Sequence, residues 1–189
     1  ALLNEDTPWR PTTRKGKLRV EMEEALRQSG VRTLVVRGGD FFEAEDSGDW
    51  FGHHITAKTH LGQTLYPGPL NCMHGWAYLP DMARAAVMLA EKRAEFATFE
   101  EFAFGGFGVT GQQLLDEIGK ATGVPQRHKK LPWGILRCLG VFNPLMREVH
   151  EMRYLWQTAH GIDGTKLQNT LPDWEPTPLD DCLKKVVAL

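Results

Sequence analysis

The start of the chain shows a helical apolar pattern followed by a strand-like one. Apolar residues recur every three or four positions, which predicts a helix over residues 13–28, capped by Thr12 or Thr13 and stopped by Gly30. The apolar stripe of this helix consists of Leu18, Met22, Ala25 and Leu26. Residues 31–36 are β-rich with little alternation, so we predict a strand buried on both faces.

The rest of the chain predicts one more strand and several helices. Residues 98–104 fit a strand, residues 43–52 an acidic loop, and residues 53–65 a short helix followed by a turn. Further helices are predicted from Pro80, with Met82, Ala86, Leu89 and Ala90 buried, from Thr110, over residues 132–139 and 145–156, and after Thr177-Pro178. This order is typical of an α/β protein whose second half is mainly helical.

Composition excludes several classes of function. With 189 residues the chain suits one domain, or one domain and part of another. A net charge of -2 with interspersed signs argues against a partner nucleic acid or an anionic membrane, and no apolar run is long enough to span a bilayer. The 3 cysteines lie far apart, which predicts free thiols in a reducing compartment and a cytoplasmic protein.

A series of segments, in order, resembles the extended short-chain dehydrogenase/reductases, the NAD(P)-dependent epimerase/dehydratase family. These segments are residues 5–11, residues 36–42, residues 76–85, Thr110-Gly111 and residues 175–179. The match has departures: Gly38 stands where the family has proline, and Glu43 replaces a glycine. The resemblance covers most of the chain at the level of the family.

The resemblance implies an α/β fold: the C-terminal part of a Rossmann-like doubly wound parallel sheet plus a mostly helical substrate-binding region. Residues 1–40 would carry the active-site helix and a late sheet strand, and residues 41–189 the remaining sheet element and the substrate-binding region. A complete sheet needs about five or six strands, so on the order of 100 residues of a nucleotide-binding half would precede Ala1. We therefore expect a fragment. Its exposed apolar stripe would be buried against another chain, such as a second copy in a homodimer.

The family's catalytic pair is a tyrosine and, four residues later, a lysine on the same helix face. The resemblance places Lys15 at the tyrosine and Arg19 at the lysine. Arg19 could hydrogen-bond a nicotinamide ribose, but it cannot deprotonate. Lys15 could act as acid/base only if its surroundings lowered its pKa strongly, and the alternative is a solvated basic turn.

Other site residues follow from the same resemblance. Gly38 and Gly39 would lie against the nicotinamide carboxamide, or else form a tight turn after the strand. Trp76, Tyr78 and Asp81 would lie near the substrate. The alternatives are that the two aromatic residues belong to the core and that Asp81 favours the first turn of its helix through the dipole.

Histidines and a basic run complete the candidates. His53, His54, His60 and His74 have no metal-ligand spacing with a carboxylate or thiol, so we predict no metal site. The basic run at residues 127–130 is either a solvated loop or a contact for a diphosphate.

The sequence therefore favours an NAD- or NADP-dependent oxidoreductase acting on a small molecule such as a nucleotide sugar or a related hydroxyl or carbonyl compound. Only the full-length protein would bind the cofactor, and the fragment alone is expected to be inactive. The alternative is a non-catalytic dinucleotide-binding sensor or a scaffold protein of the same fold.

Overall fold

The computed structural model describes residues 1–45 and 49–188 and has an α/β fold. The strands are β1 (Leu2–Leu3), β2 (Thr33–Arg37), β3 (Asp40–Phe42), β4 (Gln63–Tyr66), β5 (Met73–Tyr78), β6 (Phe99–Ala103), β7 (Phe107–Thr110), β8 (Arg127–Lys130) and β9 (Gly161–Ile162). The helices are α1 (Arg14–Gln28), α2 (Leu79–Glu91), α3 (Gly111–Thr122), α4 (Trp133–Leu139), α5 (Pro144–Glu151), α6 (Arg153–Gln157), α7 (Thr165–Thr170) and α8 (Leu179–Val187). A π-helical turn spans Phe51–Thr56.

Parallel pairing dominates the strands. β2 pairs with β6, β3 with β5, β4 with β8, and β1 with β9, all in parallel. The antiparallel pair joins β5 to β7, with Met73 opposite Thr110. Parallel strands connected by helices are the arrangement predicted from the sequence, so the expected fold class is confirmed.

β5 separates two apolar cores. Its side chains alternate between its faces, so Trp76 and Tyr78 enter one core and Ala77 the other. The first core is aromatic and lies between β5 and the helices α3 and α8. The second core packs α2 and α7 against β6. Both cores use residues from distant parts of the chain, which fixes the relative positions of these elements.

Helix α1 begins where the sequence predicts, but ionic contacts attach it to the strands. The Thr13 hydroxyl accepts a hydrogen bond from the Gly16 N–H at 3.1 Å. The buried residue of the helix is Glu23, whose carboxylate is bonded to Arg37 of β2. Arg37 also binds Glu101 of β6. A polar network thus ties α1 to the parallel pair.

The electrostatics of Glu101 follow from this network. Arg27 on the last turn of α1 lies 3.1 Å from the Glu101 carboxylate. Burial would raise the pKa of Glu101, but hydrogen bonds and charge from Arg37 and Arg27 outweigh it and hold the pKa below the usual value. The network therefore stabilises the docking of α1 most when Glu101 is ionised.

The apolar stripe of α1 is largely exposed. Leu18 and Met22 are 53% and 44% exposed. Strand β2 is half-buried and, among the described residues, pairs only with β6. The prediction of a strand buried on both faces is therefore wrong for the described chain, because every residue of β2 is only partly buried. Its second edge has no partner strand among the described residues.

Several predicted elements differ in the structure. The basic run is the exposed strand β8 beside β4, where a loop was predicted. The helix predicted over residues 145–156 is broken at Met152, which ends α5 and caps α6. In α2 the buried face contains Asp81, Ala85 and Leu89, so Ala86 and Ala90 are exposed against prediction.

Other elements agree with the sequence. α1, α2, α3, β6 and α8 lie within a few residues of their predicted positions. The capping box of α3 is complete, since the Thr110 hydroxyl accepts from the Gln113 N–H and the Gln113 side chain accepts from the Thr110 N–H. The acidic loop predicted over residues 43–52 lies in part outside the described residues, and its end at residues 51–52 is helical.

The charge network predicts that two glutamates of α1 differ in how much they contribute to the free energy of unfolding. Glu23→Ala leaves Arg37 with one carboxylate partner and should lower the free energy of unfolding by about 2 kcal/mol. Glu21→Ala removes an exposed carboxylate from the same helix and should cost no more than about 0.5 kcal/mol. Urea denaturation of both variants measures the difference, and equal losses would show that the network does not hold α1.

Candidate active site

A cleft of about 680 Å³ lies between α1 and the α5–α6 pair. Lys15 and Arg19 both line it, as expected for residues four apart on one helix face. Its lining consists of Thr13, Arg14, Lys15, Gly16, Leu18, Arg19 and Met22 on one side, and Glu148, Glu151, Met152, Tyr154 and Leu155 on the other. We call this the α1 cleft.

Lys15 has a carboxylate partner across the α1 cleft. Its ammonium nitrogen lies 3.5 Å from the Glu148 carboxylate, and its side chain is 64% exposed. An exposed ammonium group beside a carboxylate is better suited to binding a charged group of a ligand than to transferring a proton. The roles predicted for Lys15 and Arg19 stay predictions, and the structure adds Glu148 as a residue that faces them.

The two glycines after β2 have a packing explanation. A Cβ on Gly39 would lie 2.1 Å from the carbonyl oxygen of Gly75, so the chain passes too close to β5 for any side chain. A Cβ on Gly38 would lie 3.0 Å from Ala77 Cβ. Neither glycine has a positive φ. This geometry favours the turn interpretation, and contact with a nicotinamide stays a prediction.

The Asp81 carboxylate is buried and hydrogen-bonded within the protein. It is 2% exposed, and its carboxylate accepts hydrogen bonds from the Thr177 N–H at 2.6 Å and the Thr177 hydroxyl at 2.8 Å. Arg84 donates to the same carboxylate at 2.7 Å. Asp81 therefore ties α2 to the segment before α8, and this geometry speaks against its predicted place near the substrate.

Trp76 and Tyr78 differ in their surroundings. Tyr78 is buried in the first core, and burial raises the pKa of its phenol. Trp76 belongs to the same core but also lines a second cleft, of about 350 Å³. The core interpretation thus fits both residues, while only Trp76 also faces a cavity that could hold a ligand.

The second cleft is built mainly from aromatic side chains. It is lined by Phe41, Trp50, Trp76, Trp133 and Trp156, with Asp40, Asp49, Val149 and Met152. Met152 lines both cavities, so this aromatic cleft adjoins the α1 cleft. No pattern in the sequence indicates this cleft, because its residues come from segments as far apart as Asp40 and Trp156.

A buried histidine supports the wall of the aromatic cleft. His74 is 2% exposed, and its Nε2 lies 2.9 Å from the Asp40 carboxylate. Its ring stacks on Trp156 with centroids 4.2 Å apart, and His160 packs at its edge. Burial lowers the pKa of His160. These contacts fix Asp40 and Trp156 at the cleft.

The basic run at residues 127–130 does not join either cleft. Arg127, Lys129 and Lys130 are exposed on β8 and are absent from the lining of both cavities. The His128 ring bonds to the Tyr66 carbonyl at 3.1 Å. This arrangement gives no support to the diphosphate contact considered from the sequence.

Residues 106–111 have the G-x-G-x-x-G spacing of a dinucleotide fingerprint, but the structure uses them otherwise. A Cβ on Gly106 would lie 2.0 Å from the Trp76 carbonyl oxygen, and one on Gly111 would meet the Tyr66 ring at 2.5 Å. The N-terminus of α3 is closed by its own capping box. These glycines therefore serve strand packing.

The described residues contain neither a membrane-spanning helix nor a cluster of metal ligands. No helix within residues 1–45 and 49–188 is long and apolar enough to cross a membrane. In the same ranges, no group of three or more His, Cys, Asp or Glu residues is placed to hold a metal ion.

Comparison with known proteins shows the fold. The sequence matches no protein-family model, and no curated protein matches it. Among solved structures, a putative epimerase from Burkholderia cenocepacia matches with a TM-score of 0.74 at 14% identity, covering 99% of this chain and 56% of that one. The human epimerase family protein SDR39U1, solved with NADPH, matches with a TM-score of 0.71 at 18% identity, covering 100% and 60%.

A third match is the UDP-glucose 4-epimerase from Bifidobacterium longum in complex with NAD⁺ and UDP. Its TM-score is 0.70 at 17% identity, and the match covers 98% of this chain and 57% of the enzyme. The chain thus spans somewhat more than half the length of these structures. At such identities the likeness establishes an epimerase-type Rossmann-like fold, as the sequence resemblance implied.

The packing of Gly39 predicts that one added methyl group destabilises the protein strongly. Gly39→Ala should lower the free energy of unfolding by about 3 kcal/mol or prevent folding, because the Cβ would overlap the Gly75 carbonyl. Gly134→Ala, in α4 with no atom near its Cβ, should be neutral or stabilise by up to about 1 kcal/mol. Thermal denaturation compares them. A stable Gly39→Ala protein would refute the packing explanation and leave the ligand interpretation.

Proposed function

We propose that this chain is the C-terminal portion of an NAD(P)-dependent epimerase/dehydratase-like oxidoreductase. Residues 1–40 would supply the active-site helix and a late sheet strand, and residues 41–189 the remaining sheet element and the substrate-binding region. The observation that carries the proposal is the α1 cleft, where Lys15 and Arg19 face α5 and α6 within an epimerase-type fold.

The second edge of β2 supports a preceding nucleotide-binding half. Thr33 donates to the Thr98 carbonyl at 2.8 Å, and Arg37 accepts from the Phe104 N–H at 2.7 Å. In a parallel pair such groups alternate in direction, so the N–H groups of Leu34 and Val36 point away from β6. A further parallel strand beside Leu34 would satisfy them.

The residues of the α1 cleft fit part of a nicotinamide dinucleotide. Arg19 can donate hydrogen bonds to a ribose hydroxyl, and Arg14 and Lys15 add positive charge for a phosphate. The glycine-rich run at residues 106–111 is packed against Trp76 and Tyr66 and the N-terminus of α3 is capped, so it does not offer the described chain a site for the pyrophosphate. When bound, the nicotinamide would accept or supply a hydride, while Arg19 and Lys15 would hold and orient the reactants.

The substrate we propose is a nucleotide sugar or a related hydroxyl or carbonyl compound. The solved epimerase from Bifidobacterium longum holds NAD⁺ and UDP, and its fold is shared by this chain. The positive charge of Arg14, Lys15 and Arg19 suits a phosphorylated compound. A cytoplasmic location and a homodimer stay predictions from the sequence.

One observation favours a second candidate, a dinucleotide-binding sensor or scaffold that performs no chemistry. The position of the catalytic tyrosine is occupied by Lys15, which is exposed and paired with Glu148. A charge-paired lysine can hold a cofactor without transferring protons. The sensor would therefore keep cofactor binding and lack turnover.

The proposal predicts weak binding by the chain alone. Residues 1–189 should bind NAD(H) and NADP(H) with a Kd weaker than about 1 mM, because the described residues lack a pyrophosphate site. Isothermal titration calorimetry measures this, and the protein extended by its nucleotide-binding half should bind one of the two cofactors. Micromolar affinity of the chain alone, or no binding by the extended protein, would contradict the proposal.

Variants of Lys15 separate the enzyme from the sensor. In the extended protein, Lys15→Ala should reduce turnover of UDP-glucose with bound cofactor about 100-fold or more if Lys15 is an acid/base. Lys17→Ala, on the same helix but outside the α1 cleft, should leave turnover unchanged. The rate is followed by the absorbance of the reduced nicotinamide. Cofactor binding with no turnover in the unmutated protein would favour the sensor.

A further inference from the structure

The aromatic cleft has the composition of a site for organic cations. Four of the 6 tryptophans of the chain line it, together with Phe41. The centroids of the Trp76 and Trp156 rings lie 5.7 Å apart, and the two rings are inclined at 58° to each other. The π-faces of tryptophan attract alkylammonium groups, and several such rings around one cavity form an aromatic cage.

The charged residues that line the cleft are Asp40 and Asp49, and no lysine or arginine is among the described lining residues. The Arg153 guanidinium lies behind this lining, 6.0 Å from the centroid of the Trp133 ring. Asp49 uses one carboxylate oxygen to accept from the Gly52 N–H at 2.8 Å. Its other oxygen, Oδ2, is buried and has no hydrogen-bond partner among the described residues. A ligand with positive charge would complement both carboxylates, whereas a phosphate would be repelled.

Two indole N–H groups at the cleft also have no acceptor within the part of the chain that the structure describes. These are the buried Nε1 of Trp50 and of Trp76, and Trp76 is 2% exposed. By contrast, the Trp133 N–H donates to the Pro67 carbonyl at 2.8 Å. Leaving buried donors unpaired is costly, so a ligand oxygen within reach of either indole would contribute to binding.

We propose that the aromatic cleft binds a small organic cation that carries an alkylammonium group and a hydroxyl group. The ammonium group packs against the tryptophan faces and is balanced by Asp40 and Asp49. The hydroxyl group donates to Asp49 or accepts from the indole N–H groups. This binding needs no dinucleotide, so it stands or fails independently of the proposed oxidoreductase function.

Choline is the probe, since it has a quaternary ammonium and one hydroxyl group. It is titrated into residues 1–189 by calorimetry and by tryptophan fluorescence, beside its neutral isostere dimethylbutanol, in which carbon replaces nitrogen. We expect choline to bind at least about tenfold more tightly than the isostere, because only the charge distinguishes them. Glucose, a neutral polyhydroxylated ring, is the third ligand and should bind more weakly than choline.

Matched variants locate the site. Asp49→Asn keeps an acceptor for the Gly52 N–H and should weaken choline binding about fivefold, whereas Asp116→Asn on the exposed face of α3 should not change it. Trp50→Phe should weaken binding about threefold. Trp174→Phe removes an equally unpaired indole from the second core and should have no effect.

The outcomes decide the proposal. Choline binding that depends on Asp49 and Trp50 and exceeds that of the isostere would support it. Equal binding of choline and its isostere, tighter binding of glucose, or no response to choline up to about 50 mM would overturn it. Equal loss in the control variants would also overturn it, since the binding would then lie elsewhere.

Discussion

The charge network between Glu23, Arg37, Glu101 and Arg27 fixes the position of α1, which forms one wall of the α1 cleft. A helix on a sheet ordinarily docks through its apolar face. Here the docked face is polar, and Leu18 and Met22 of the apolar stripe line the α1 cleft instead. Lys15 and Arg19 line the same cleft, so one set of ionic contacts determines which face of α1 the cleft receives.

The two clefts differ in charge. The α1 cleft has Arg14, Lys15 and Arg19 on one wall and Glu148 and Glu151 on the other, whereas the charged lining residues of the aromatic cleft are Asp40 and Asp49. Met152, at the break between α5 and α6, lines both. The break in the helix matters here, since it turns α6 so that Trp156 reaches the aromatic cleft.

Local signals explain what the sequence predicted well. The caps of α1 and α3 and the proline that begins α2 are encoded in neighbouring residues, and these helices lie where they were expected. β5 was missed because Met73–Tyr78 is poor in β-branched residues and is a strand by virtue of its two partners. β8 was missed for the same reason, because its basic residues pair with β4 across about sixty positions. The spacing of Lys15 and Arg19 on one helix predicts that they share a face and line one cleft. The aromatic cleft, in contrast, is formed by single residues from loops, strands and helices.

Within the described residues, the edge of β2 opposite β6 has no partner, so it is open to another strand of the same sheet. Amide hydrogen exchange of residues 1–189, resolved by NMR, reports whether this edge is open. We predict slow exchange at Val35 and Arg37, which face β6, and fast exchange at Leu34 and Val36, which face the second edge. Uniform protection of all four amides in the monomeric chain would contradict the account, because that edge would then already be closed.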